Sequence, residues 1–191
     1  FCIVPLLNKG GFFMSTKPNG RSNLRQLVLC AILIALATVL GMIKFLDLPY
    51  GGSITLMSML AATLCGYYCG TAKGIFACMA LGLLNLILGP TIVHPAQVIL
   101  DYFLGFGLSG LTANRKNGLT TGYIIGVTAR FLCSFLSGFI FFGEYAPENM
   151  NPVWYSFVYN IIYIGAEAIL TLIVINIPVI KNTLIKLKEQ V

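Results

Sequence analysis

Three ionisable side chains, Asp101, Arg130 and Glu167, stand inside long apolar runs. On insertion scales each costs roughly 2.5–3.5 kcal/mol at the centre of a membrane helix, so each requires a partner or a polar cavity. Their neighbours at helical spacing are polar or aromatic. Arg130, Ser134, Gly138 and Phe142 recur at four-residue steps on one helix face, and Tyr155, Tyr159, Tyr163 and Glu167 form a second stripe. Asp101 shares a face with Gln97, and Tyr155, Tyr159 and Asn160 fall at a comparable depth from the other direction. A carboxylate, an amide and several rings suit a flat, nitrogen-rich ligand, cations included. Rings stack and make cation–π contacts, while Asp and Asn fix hydrogen-bonding edges.

Plainer readings compete at several positions. Tyr145 and Trp154 fit an interfacial aromatic belt better than a pocket, and Tyr155 fits either. That belt leaves Asp101 and Asn160 unexplained. Arg130 and Glu167 are satisfied equally well by pairing with each other or by touching a ligand. His94, beside Pro95, reads as a loop residue near the mouth rather than a ligand or proton shuttle. No nucleophile elbow, HExxH, P-loop or suitably spaced carboxylate pair occurs, so the chain reads as a binding protein without cofactor or metal, not an enzyme. Energised transport would need a separate ATPase.

The elements that must position these residues follow from composition. Of 191 residues, 58% are hydrophobic and only 9% charged; soluble domains carry about 25% charged residues, so this is an integral membrane protein. Apolar runs over about 24–43, 54–68, a third ending near 88, 96–113, 119–142 and 153–177 predict an all-α bundle of six membrane helices. A tail (1–23), a membrane domain (24–178) and a basic tail (179–191) result. Lys44–Ser53 reads as a loop, broken by Pro49 and Gly51-Gly52. Net charge is +6, but the basic residues sit in short loops as orientation signals rather than as a nucleic-acid patch. Lys17, Arg21, Arg25, Lys73, Arg115, Lys116, Lys181, Lys186 and Lys188 fall on one side, against Lys44 on the other. Both termini are therefore expected in the cytoplasm. The six cysteines show no metal-type clustering, and most read as small hydrophobes. Lys9-Gly10-Gly11 can be encoded by a purine-rich ribosome-binding sequence ahead of Met14. The natural start is accordingly expected at Met14, in a bacterial source.

Several motifs carry a likeness. Pro49-Tyr50-Gly51-Gly52-Ser53-Ile54-Thr55, His94-Pro95-Ala96-Gln97-Val98-Ile99-Leu100-Asp101-Tyr102, the run from Ser137 through Gly143-Glu144-Tyr145-Ala146-Pro147, and Val153-Trp154-Tyr155-Ser156-Phe157-Val158-Tyr159-Asn160 resemble the thiamine-specific substrate-binding (S) component family of energy-coupling factor (ECF) transporters. The resemblance spans about residues 25–177. It implies a six-helix bundle binding thiamine near the extracellular side, docked on a transmembrane coupling protein and two cytoplasmic ATPases, in a bacterial cell membrane.

Position by position, it implies that Asp101 contacts the aminopyrimidine beside Tyr102. Tyr155 and Asn160 supply polar pyrimidine contacts, Gly138 lines the site, Phe142 stacks, and Arg130 reaches the hydroxyl end. Tyr50, Gly51 and Gly52 would form a lid with His94 near the mouth. Ala31 and Ala35, four apart on the first helix, would serve docking rather than ordinary packing inside the bundle. Ser134 departs from the pattern, standing where a histidine is expected. The loss of that ring leaves a thiamine precursor such as hydroxymethylpyrimidine, or another small vitamin, as an alternative ligand. A membrane structural or assembly subunit is the alternative of another class.

Overall fold

A computed structural model of the chain describes residues 20–112 and 118–189. The Met14 expectation, Lys17, Arg115 and Lys116 fall outside them. The described chain is mostly helical: α1 (Gly20–Met42), α2 (Ser58–Cys69), α3 (Thr71–Leu88), α4 (Pro95–Leu108), α5 (Leu119–Phe141), α6 (Pro152–Asn176) and α7 (Pro178–Glu189). Among the described residues four stretches are long and apolar enough to cross a membrane: Asn23–Met42 of α1, and α3, α5 and α6. Helix α4 is a shorter apolar helix.

Helix α2 has only 12 residues, and every one from Ala61 to Cys69 is buried. A helix apolar on all sides belongs in a protein core; α2 packs against α1, α3 and α5 and is wrapped by protein rather than lipid. Small residues permit the tightest approaches. A Cβ on Gly66 would overlap the Gly110 carbonyl oxygen, and one on Gly74 would overlap the Gly66 backbone, so α2, α3 and the turn after α4 touch backbone to backbone. Cys30, Cys65, Cys69 and Cys78 fill this region as buried free thiols, the small-hydrophobe role expected of them.

The all-α expectation needs one correction. Lys44–Ser53 is not an irregular loop: β1 (Lys44–Asp47) pairs antiparallel with β2 (Ser53–Thr55), with Leu46 opposite Ile54 and Asp47 opposite Ser53. Tyr50 and Gly51 both take positive φ in the connecting turn, 65° and 94°, which suits Gly51 and strains Tyr50. The chain 179–189 is likewise helical rather than a plain tail. It folds back so that Tyr68 Oη donates to Leu184 O at 3.1 Å and the Lys188 ammonium sits 3.7 Å above the Tyr67 ring.

The two ends of the bundle differ in what they hold. One end holds Lys188 and Lys73, whose Nζ donates to Asn23 Oδ1 (2.7 Å) and Gln26 Oε1 (2.6 Å). The other holds the hairpin, where Lys44 and Asp47 pair at 2.9 Å. Both α4 and α6 contain a π-helical stretch, Ile99–Gly105 and Ile161–Gly165, a distortion that recurs at functional sites.

Candidate binding site

At the hairpin end lies a cavity of about 420 Å³ walled by α1, α3, α4, α5 and α6. Asp101, Tyr102, Arg130, Ser134, Gly138, Phe142, Tyr155 and Asn160 all line it, and Tyr50, Gly51 and Gly52 close it from the hairpin. Helices α4, α5 and α6 thus bring together residues up to 59 positions apart in sequence (Asp101 to Asn160).

Asp101 sits in the π-helical stretch of α4. Its Oδ2 accepts from Gln97 Nε2 at 2.8 Å and from Ser137 Oγ at 2.6 Å; Gln97 and Ser137 are 2% and 0% exposed. Arg130 stacks its guanidinium 4.1 Å above the Phe106 ring, a cation–π contact that holds the charge beside the cavity. Glu167 does not pair with Arg130. Its Oε2 accepts from Thr55 N (3.1 Å) and Thr55 Oγ1 (2.6 Å), and its Oε1 from Met59 N (3.0 Å) and Ser58 Oγ (3.2 Å). The α2 N-terminus has no side-chain cap of its own, and a carboxylate from α6 serves orphan N–H groups there and at the foot of the hairpin.

Tyr159 joins α6 to the hairpin tip: its Oη accepts from Gly52 N at 2.8 Å and donates to Pro49 O. A Cβ on Gly52 would lie 2.6 Å from that oxygen, so only glycine lets the hairpin seat. Asn160, 2% exposed, ties α6 to itself and to α5. Its Nδ2 donates to Ser156 O (2.8 Å) and Ser134 O (3.3 Å), and its Oδ1 accepts from Tyr163 Oη (3.0 Å). Gly138 lies against Ser156 in the same α5–α6 approach. Tyr50 packs 4.7 Å from Tyr145 and 6.5 Å, edge-on, from Phe142, making an aromatic rim.

Other expected residues lie elsewhere. His94 is not part of the cavity wall: its Nδ1 accepts from Ala96 N at 3.1 Å, capping α4, and its ring stacks 5.1 Å from Phe141. Ala31 and Ala35 are exposed on α1, with Ala37 buried on the opposite side. Trp154 is 58% exposed, outside the cavity, as a belt residue would be; Tyr155 faces in. Helical spacing pointed to Gln97 and Tyr159, and both line the cavity; Thr91 in the wall and Ser137 behind Asp101 were not singled out by it. The wall as a whole offers the Asp101 carboxylate, a second carboxylate (Glu167) already engaged by Thr55, Ser58 and Met59, the Arg130 guanidinium, the Lys44 ammonium, several hydroxyls and flat rings. Such a wall suits a small polar aromatic molecule.

Comparison with known proteins points the same way. The family model described as thiamine transporter protein (Thia_YuaJ) matches residues 27–187. The thiamine transporter ThiT of Bacillus subtilis (strain 168) is 32% identical over 177 residues, covering 82% of this chain and 91% of the relative. The ThiT of Lacticaseibacillus paracasei is 32% identical over 132 residues, 56% of this chain and 64% of the relative. A solved structure of ThiT from Listeria monocytogenes superposes with a TM-score of 0.64 at 26% identity, covering 80% of this chain and 90% of that one. With its apolar helices, the chain is a multi-pass bacterial membrane protein of a transport family rather than an enzyme, and it belongs to the thiamine transporter protein (Thia_YuaJ) family.

Proposed function

We propose that this chain binds thiamine in the hairpin-end cavity and serves as the S component of an ECF-type uptake transporter. The observation that carries the reading is the Asp101 carboxylate. One oxygen is taken up by Gln97 and Ser137, and the group lines a cavity walled by Tyr102, Phe142 and Tyr155. Thiamine joins an aminopyrimidine, which donates N–H bonds, to a cationic thiazolium ring. A carboxylate serves the first, and aromatic faces serve both. Asn160 keeps one lone pair on Oδ1 beyond its bond to Tyr163, and Arg130 stands at the wall for the hydroxyethyl end. The helices form a six-span bundle with both termini in the cytoplasm, and α1 offers Ala31 and Ala35 on its outer face to a coupling subunit. Two ATPase subunits energise the transport.

Ser134 favours a second reading, in which the pocket is tuned to hydroxymethylpyrimidine. Uptake of labelled thiamine by cells lacking their own thiamine transport tests the first. Uptake that appears only when this chain, the coupling protein and active ATPases are co-expressed supports it. Uptake of the pyrimidine alcohol without thiamine selects the second, and uptake of neither rejects both.

A further inference from the structure

Gln97 does more than touch Asp101. Its side-chain amide makes three bonds: Nε2 donates to Asp101 Oδ2 (2.8 Å) and to Thr91 O (3.2 Å), while Oε1 accepts from Val93 N (3.3 Å). It is 2% exposed, so these bonds form out of water, where leaving any of them unmade is costly. The 89–94 loop that it grips is also held by Tyr102, whose Oη accepts from Thr91 N at 2.9 Å. Thr91 in turn presses on the hairpin, because a Cβ on Gly51 would overlap Thr91 Oγ1. Two roles therefore meet in one amide. It fixes the rotamer of the carboxylate, and it fixes the surface on which the hairpin turn sits.

We propose that Gln97 is a positioning residue that links the recognition carboxylate to the seat of the lid. A ligand drawing on Asp101 and the closure of Tyr50–Gly52 over it are coupled through this side chain. Ser137 fixes the same carboxylate oxygen (2.6 Å) without a hydrogen bond to the loop or the hairpin, which makes it the internal control. The inference rests on the thiamine reading of the cavity.

The test uses the purified full chain in detergent, with thiamine titrated calorimetrically and amide hydrogen exchange followed over 48–55 and 89–94. Gln97→Met keeps the side-chain volume and removes the amide; Ser137→Ala removes only the hydroxyl. Both should weaken thiamine binding roughly 10- to 100-fold, the loss expected for a bond to a charged group. In an Asp101→Ala background, Ser137→Ala should add less than about twofold, because it acts through that carboxylate, and the effect of Gln97→Met should shrink to the part it exerts through the 89–94 loop. Exchange at Gly52 and Thr91 should speed up about tenfold in Gln97→Met and stay unchanged in Ser137→Ala. Ser137→Thr, which restores the hydroxyl, should recover affinity, and this arm stands even where Gln97→Met folds poorly. Wild-type affinity in Gln97→Met, undiminished effects without Asp101, or equal exchange in the two variants would overturn the inference. A wild-type protein that fails to bind thiamine sinks the functional reading, whereas wild-type binding unaltered by Gln97→Met sinks this inference alone.

Discussion

Replacing Asp101 by Asn removes one charge and keeps the shape, and the geometry around it sets the cost. An amide has one acceptor and one donor end. With its oxygen toward Gln97 Nε2 and Ser137 Oγ, as Oδ2 is now, the NH2 group faces the ligand's own donor edge. With the amide turned over, the NH2 group meets Gln97 Nε2 instead. In both orientations a charge-assisted bond is lost (about 1.5–3 kcal/mol) and a donor is set against a donor (about 1–3 kcal/mol). Asp101 is half-buried, and partial hydration favours the low end of that sum. The expected loss is about 2.5–4 kcal/mol, or roughly 60- to 1,000-fold in Kd for thiamine. Glu144→Gln removes a charge at the same end of the molecule, but Glu144 is exposed and outside the cavity wall; it should change Kd by less than about threefold. Calorimetric titration of both variants at one ionic strength decides the matter. Equal losses in the two would refute the reasoning.

Other expectations can be checked on the same purified protein. Tyr159→Phe loses the bonds to Gly52 N and Pro49 O and should speed thiamine release about tenfold in stopped-flow measurements, with unchanged release contradicting a latch. Glu167→Gln sets an NH2 group against the Thr55 or Met59 amide; denaturation should show about 2–3 kcal/mol lost, and wild-type stability would remove Glu167 as the α2 cap. Gly66→Ala pushes a methyl into the Gly110 carbonyl and should cost about 1–3 kcal/mol of stability while sparing the ligand contacts. Ser134→His adds a ring to the cavity wall and should tighten thiamine binding several-fold in a competition assay; no gain would show that the serine is not the limiting group.

The cavity wall was legible because charge inside an apolar run is a loud signal. Asp101 and Arg130 had to face something polar, and four-residue spacing then carried the reading to Ser134, Gly138, Phe142 and Tyr155. Helix positions followed from apolar length alone. What stayed hidden depended on contacts across the chain. Glu167 caps α2 through Thr55 and Met59, 112 and 108 residues away, and no local pattern announces such a partner, so an ion pair with Arg130 looked equally good. The hairpin strands are four and three residues long, too short for an alternating pattern to stand out between Pro49 and Gly52. Spacing put Gln97 on the face of Asp101, but its bonds to Thr91 and Val93 reach a loop that no helical pattern connects to it. The π-helical stretches, which turn Asp101 and Tyr163 relative to their helices, leave no mark in residue type.

The most direct measurement is a titration of the purified chain with thiamine, with hydroxymethylpyrimidine and with the thiazole alcohol. A cavity organised around Asp101 should bind thiamine tightest, retain the pyrimidine half at reduced affinity, and lose both when Asp101 becomes Asn. Binding of the thiazole alcohol as strong as thiamine, or thiamine binding indifferent to Asp101, would contradict it.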